Sequence, residues 1–73
     1  MNIGKAIKRR REELDLSTAL IAFCAGMDEE KLLAIEAGDP RIKISQAIDI
    51  SKLLGCRLDE LIQEAETYDA VCT

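Results

Sequence analysis

"GMDEEKLLAIEAGDP", residues 26–40, holds the punctuation that decides the fold. Between its glycines, Leu32, Leu33 and Ile35 recur at helical spacing. Asp28 stands where an N-cap side chain can accept from the first unsatisfied backbone N–H groups. Gly38 suits the left-handed position that follows a last helical turn. Pro40 then blocks continuation, because proline has no N–H and its ring collides with the preceding turn. The stretch predicts a short helix over about 28–37, with Gly26 ending an earlier one.

The pattern extends in both directions. Ser17 is a natural N-cap for a second helix at about 18–25, in which Ala19, Leu20, Ile21, Ala22, Phe23, Cys24 and Ala25 leave little polar surface. An apolar helix of this kind is expected to be largely enclosed, with Cys24 buried. Upstream, Ile3, Ala6, Ile7 and Leu14 share one side of a helix at about 2–14, and Asp15 can take the left-handed conformation that ends it. Downstream, Ile44, Ala47, Ile48, Ile50, Leu53 and Leu54 predict a helix at about 44–54 that stops at Gly55. Leu58, Leu61, Ile62 and Ala65 predict a fifth at about 57–67, with Asp59 and Glu60 in its first turn, where the helix dipole favours negative charge. No run alternates with period two. The expectation is an all-α, compact five-helix bundle over residues 1–67 with a C-terminal tail at 68–73.

Composition narrows the function classes. A chain of 73 residues predicts one small domain, and such a domain hides only about 60% of its unfolded surface. The longest apolar run, residues 19–26, is far short of the roughly 18 residues of a membrane span. The N-terminal segment carries Arg9, Arg10 and Arg11 where a secretory signal would be apolar, so a cytoplasmic protein is expected. Cys24, Cys56 and Cys72 are odd in number and no histidine accompanies them, which predicts free thiols, Cys72 in the tail, and neither a metal site nor a cofactor. No serine or cysteine stands beside a plausible base, so the expectation is that the chain is not an enzyme.

Over about residues 3–66 the sequence resembles the phage-repressor-type, Cro-like or XRE-type, helix-turn-helix family. The matching stretches are "IGKAIKRRREELDLS" at 3–17, Ile21-Ala22, Gly26-Met27, "IEAG" at 35–38, "IDISKLLG" at 48–55 and "LDELI" at 58–62. The resemblance implies a lambda-repressor-like bundle in which helices two and three form the helix-turn-helix and helix three enters the DNA major groove. Carried onto this chain, the base-reading candidates are Glu29, Glu30, Leu33 and Ala34, with Thr18 and Ala19 facing phosphate. Arg11 and Glu36 stand where similar domains clamp helix one to the end of helix three, the alternative for Arg11 being a direct DNA contact. Family members usually carry Gln near both helix starts, where this chain has Thr18 and Glu29.

Charge pulls against that pattern. Residues 1–14 hold five basic and two acidic groups (+3), residues 15–40 one basic and six acidic (−5), and residues 41–73 four basic and six acidic (−2), for a total of −4. Nonspecific DNA affinity comes mainly from Lys and Arg displacing counterions, so the few cations must gather on one face. Lys5, Lys8, Arg9, Arg10, Lys31, Arg41 and Lys43 are the phosphate candidates, the plainer reading being a solvated face. A carboxylate can itself read cytosine by accepting from its amino group. The resulting expectation is a sequence-specific DNA-binding transcriptional regulator, a homodimer through Leu58, Leu61, Ile62, Ala65 and Tyr68 of helix five. The alternative is a repressor-like domain that has lost DNA binding and meets a protein partner on the acidic face of helix three. A third reading is a DNA-binding component subordinate to a partner protein, as in antitoxins.

Overall fold

A computed structural model describes residues 2–71, with side chains described for residues 2–66. Five helices follow one another: α1 (Gly4–Glu13), α2 (Thr18–Ala25), α3 (Glu29–Glu36), α4 (Ile44–Leu53) and α5 (Leu58–Val71). No strand occurs among the described residues. α1 lies against α3 and α5, α2 against α3 and α4, and α4 against α5, giving an all-α bundle.

The helix ends show why the elements stop where they do. Asp15 takes φ 56°, in the left-handed region, and lets the Leu16 N–H reach back to the Arg11 carbonyl at 3.0 Å. Ser17 is extended, and its hydroxyl accepts from the Leu20 N–H at 3.1 Å. At the other end of α2, Gly26 sits at φ 67°, ψ 35°, so the Met27 N–H bonds to the Ala22 carbonyl at 2.9 Å and the chain turns sharply. A side chain at Gly26 would meet no neighbour, so the constraint there is conformational and not steric. Asp28 has the extended backbone of an N-cap, but its carboxylate makes no capping bond, contrary to expectation; it is exposed to water. α5 runs through Val71, past the predicted end at 67, because no Gly or Pro follows Gly55 to stop it.

Ile3, Ile7, Ile21, Leu32, Ile35, Ile50 and Leu61 are fully buried and form the centre of the core, joined by Ala6, Ala22, Ala25, Ala47, Leu54 and Ala65. The helical periodicities thus point their apolar faces at one another as expected. α2 is the exception. Phe23 is 84% exposed, Leu20 41%, and Cys24 is exposed, so the helix is not enclosed and Cys24 is not buried. Ile21, Ala22 and Ala25 are the buried residues of α2, on the side where α3 and α4 pack. Cys56 is half-buried, and burial pushes its thiol up. Cys72 lies outside the described residues.

Candidate nucleic-acid interface

The exposed strip of α3 is built by its own register. Leu32, Ile35 and Glu36 turn inward, which leaves Glu29, Glu30, Leu33 and Ala37 exposed, with Leu33 at 49% and Ala34 half-buried. Two of the sequence candidates are tied to each other. The Thr18 hydroxyl donates to Glu29 Oε1 at 2.5 Å and links the first residue of α2 to the first of α3. The beginnings of both helices therefore face the same side, and Glu29 is held across the gap while Glu30 stands in solvent.

Behind this strip lies the Arg11 and Glu36 clamp. Arg11 Nε donates to Glu36 Oε2 at 2.8 Å and Nη2 to Oε1 at 3.1 Å, while Nη1 donates to the Leu16 carbonyl at 3.1 Å. The two side chains are 14% and 5% exposed, and the pairing holds the guanidinium pKa above its ordinary value. Both carboxylate oxygens are thereby used, which favours the structural reading of Arg11 over a direct phosphate contact.

The cations are less free than the sequence suggested. Arg10 Nε donates to Glu64 Oε2 at 2.6 Å, and Arg9 Nη1 to Glu64 Oε1 at 3.2 Å, while Arg9 Nε also donates to Glu13 at 3.1 Å. One carboxylate on α5 thus holds two arginines of α1. Glu64 was missed in the sequence because a polar position between Leu61 and Ala65 gives no sign of which helix it will meet. Arg41 is folded onto Asp39: its backbone N–H, Nε and Nη2 all donate to that carboxylate, at 2.9, 3.0 and 3.0 Å. Lys5, Lys8 and Lys43 are exposed, Lys31 is half-buried, and Ala19 is exposed on the first turn of α2. Lys5, Lys8 and Arg9 share an open depression on α1 with Glu12 and Glu13, so even this face is of mixed charge.

The Arg41 bonds depress the Asp39 carboxyl from its ordinary 3.8 to about 2. A lowered folded-state pKa means that the contact stabilises the chain above the ordinary carboxylate range and loses that effect as pH falls toward about 2. The Asp39 carboxyl carbon is expected to titrate near about 2 by NMR, and to return toward 3.8 in Arg41→Ala. An unchanged midpoint in that variant would assign the shift to something other than Arg41.

The expected self-association surface on α5 is mostly spent within the chain. Leu61 is fully buried and Ala65 is 7% exposed, both against the chain's own core, and Leu58 and Ile62 are half-buried there. Tyr68 lies outside the residues whose side chains are described. No helix among the described residues is long and apolar enough to cross a membrane.

No family model and no curated protein matches the chain. Among solved structures it is similar to FeII HppE, crystallised in complex with substrate, with a TM-score of 0.72 and 26% identity over 82% of this chain and 34% of that one. The chain therefore spans about a third of the length of the solved protein it matches. This finding corrects the expectation that the chain is not an enzyme. That expectation rested on the lack of a nucleophile and base in these 73 residues, whereas a similar fold forms part of an iron enzyme. Among the described residues no three His, Cys, Asp or Glu side chains come together as metal ligands, so no step through iron is derived for them.

Proposed function

We propose that the chain is a sequence-specific DNA-binding transcriptional regulator of the phage-repressor type, in which α2 and α3 are the helix-turn-helix and α3 enters the major groove. The observation that carries this reading is the juxtaposed beginnings of α2 and α3, fixed by the Gly26 turn and the bond from Thr18 to Glu29. That arrangement presents Glu29, Glu30 and Leu33 as a strip with backbone N–H groups of two helix starts beside it, the features a groove reader needs. Glu29 is the base reader, accepting from a cytosine amino group, and Lys5, Lys8, Lys31 and Lys43 are phosphate contacts. Two copies on adjacent half-sites would set their α3 helices about 34 Å apart. The setting is the cytoplasm.

The acidic strip gives the test its sign. A carboxylate roughly 5 Å from a phosphate, at an effective dielectric near 20, is repelled by about 3 kcal/mol before salt screening reduces it. Glu29→Gln with Glu30→Ser is therefore expected to tighten binding to random duplex several-fold while the preference for a selected site is lost. Fluorescence anisotropy at two salt concentrations, on a selected site and on random duplex, reads both effects. If neither the native protein nor the double variant binds DNA in a salt-dependent way, this reading falls.

One observation favours a second reading, a protein-interaction domain. Arg9, Arg10 and Arg41 are engaged by Glu13, Glu64 and Asp39, carboxylates that compete with phosphate for these cations. On that reading the strip of α3 meets a basic protein surface, and the same anisotropy experiment separates the two.

A further inference from the structure

We infer that Thr18 is a specificity-determining residue, aiming Glu29 at cytosine through its hydroxyl hydrogen, and is not the phosphate contact that its place at the start of α2 suggests. This inference rests on the DNA reading above and deepens it by assigning the residue that orients the reader. A threonine hydroxyl has one hydrogen to donate. Here that hydrogen goes to Glu29 Oε1 across 2.5 Å, at the short end of the range for an O–H bonded to a carboxylate. A phosphate laid against Thr18 would meet only the lone pairs of the hydroxyl, acceptor against acceptor, until the bond to Glu29 was broken.

The same bond divides the carboxylate. Glu29 is exposed and is the first residue of α3, so without a tether its side chain would sample several rotamers. Thr18 is the firmer of the two, half-buried on the first turn of α2 and restricted at χ1 by its branched Cβ. With Oε1 held, Oε2 is the acceptor left for a base. In the major groove cytosine presents an amino donor and no acceptor of its own, whereas adenine sets its amino donor beside the N7 acceptor, which repels a carboxylate. Guanine and thymine present acceptors there. One acceptor thus meets one donor, and the base selected is cytosine. Glu30 shares the first turn of α3 but stands in solvent, so of the two carboxylates Glu29 is the one that is aimed.

The test uses a site selected from randomised duplex, at the base pair whose identity Glu29→Ala relaxes. Fluorescence anisotropy on the four versions of that base pair measures discrimination, and a salt series on random duplex reports phosphate contacts through its slope. The native chain is expected to prefer cytosine by about tenfold. Thr18→Val keeps the shape and removes the hydroxyl; it is expected to cut that preference below about threefold and to leave the salt slope unchanged. Thr18→Ser keeps the hydroxyl and is expected to retain the preference to within about twofold. In a Glu29→Ala background, Thr18→Val is expected to change discrimination no further, which separates action through Glu29 from a general structural effect. Helical circular dichroism checks that each variant is folded. If Thr18→Val weakens every duplex alike and lowers the salt slope by about 0.9, Thr18 is a phosphate contact and the inference is overturned. It is equally overturned if Thr18→Val leaves discrimination intact, if the preferred base is not cytosine, or if Glu29→Ala relaxes no base pair; salt-dependent DNA binding survives in all these cases. A native chain with no salt-dependent DNA binding instead removes the DNA reading, and this inference with it.

Discussion

Glu36→Ala is expected to lower the unfolding free energy by about 3–5 kcal/mol, since it strands the Arg11 guanidinium in a largely buried site. Arg11 makes two parallel bonds to Glu36 and a third to the Leu16 carbonyl, and its side chain is only 14% exposed, so water cannot take over for the lost carboxylate. A domain of 73 residues, at roughly 0.05–0.15 kcal/mol per residue, has about 4–11 kcal/mol in total. The loss therefore takes between roughly a quarter and all of that stability. Urea unfolding followed by circular dichroism measures this, and a loss under about 1 kcal/mol would show the pair to be a surface contact. A paired replacement, Arg11→Met with Glu36→Leu, removes both charges together and is expected to recover most of the loss, because the penalty comes from the orphaned charge and not from the absence of the pair.

That clamp was legible in the sequence because Arg11 and Glu36 occupy matching positions of a family pattern, and the helix register that buries Ile7 and Ile35 brings those positions together. The helix ends were legible for a local reason: Asp15, Ser17, Gly26 and Pro40 act on the backbone within a few residues of themselves. What depended on which helix packs against which face was not legible. An all-apolar α2 predicts enclosure, yet Leu20 and Cys24 stay exposed, and Phe23, at 84%, is the most exposed large apolar side chain among the described residues. The same limit hid Glu64, whose role follows from α5 crossing α1 and not from its neighbours in sequence. On α5, one apolar stripe was assigned both to the core and to a second copy. The bundle uses Leu61 and Ala65 for the core, so among the described residues those two are not open to a second copy.

Gly4→Ala is expected to be destabilising by about 3 kcal/mol, although the same change in an ordinary helix would add up to about 1 kcal/mol of stability. Gly4 is the first residue of α1 and is buried against the last turn of α3. A Cβ there would lie 1.7 Å from the Ile35 carbonyl oxygen, 2.6 Å from its carbon and 3.0 Å from the Glu36 Cα. All three are backbone atoms, so no side-chain rotation relieves the overlap, and α1 must move away from α3. That movement also pulls Arg11 from Glu36, since the two sit on the helices being separated, and adds part of the clamp to the cost. At about 4–8 °C per kcal/mol for a domain of this size, the melting temperature is expected to fall by on the order of 15 °C. Lys8→Ala, an exposed change on the same helix, is expected to stay within about 0.5 kcal/mol and so separates the steric effect from helix propensity. An unchanged melting temperature in Gly4→Ala would mean that α1 and α3 are not in backbone contact. The approach permitted by the missing side chain sets how α1 braces α3, and with it the angle at which Glu29, Glu30 and Leu33 are presented.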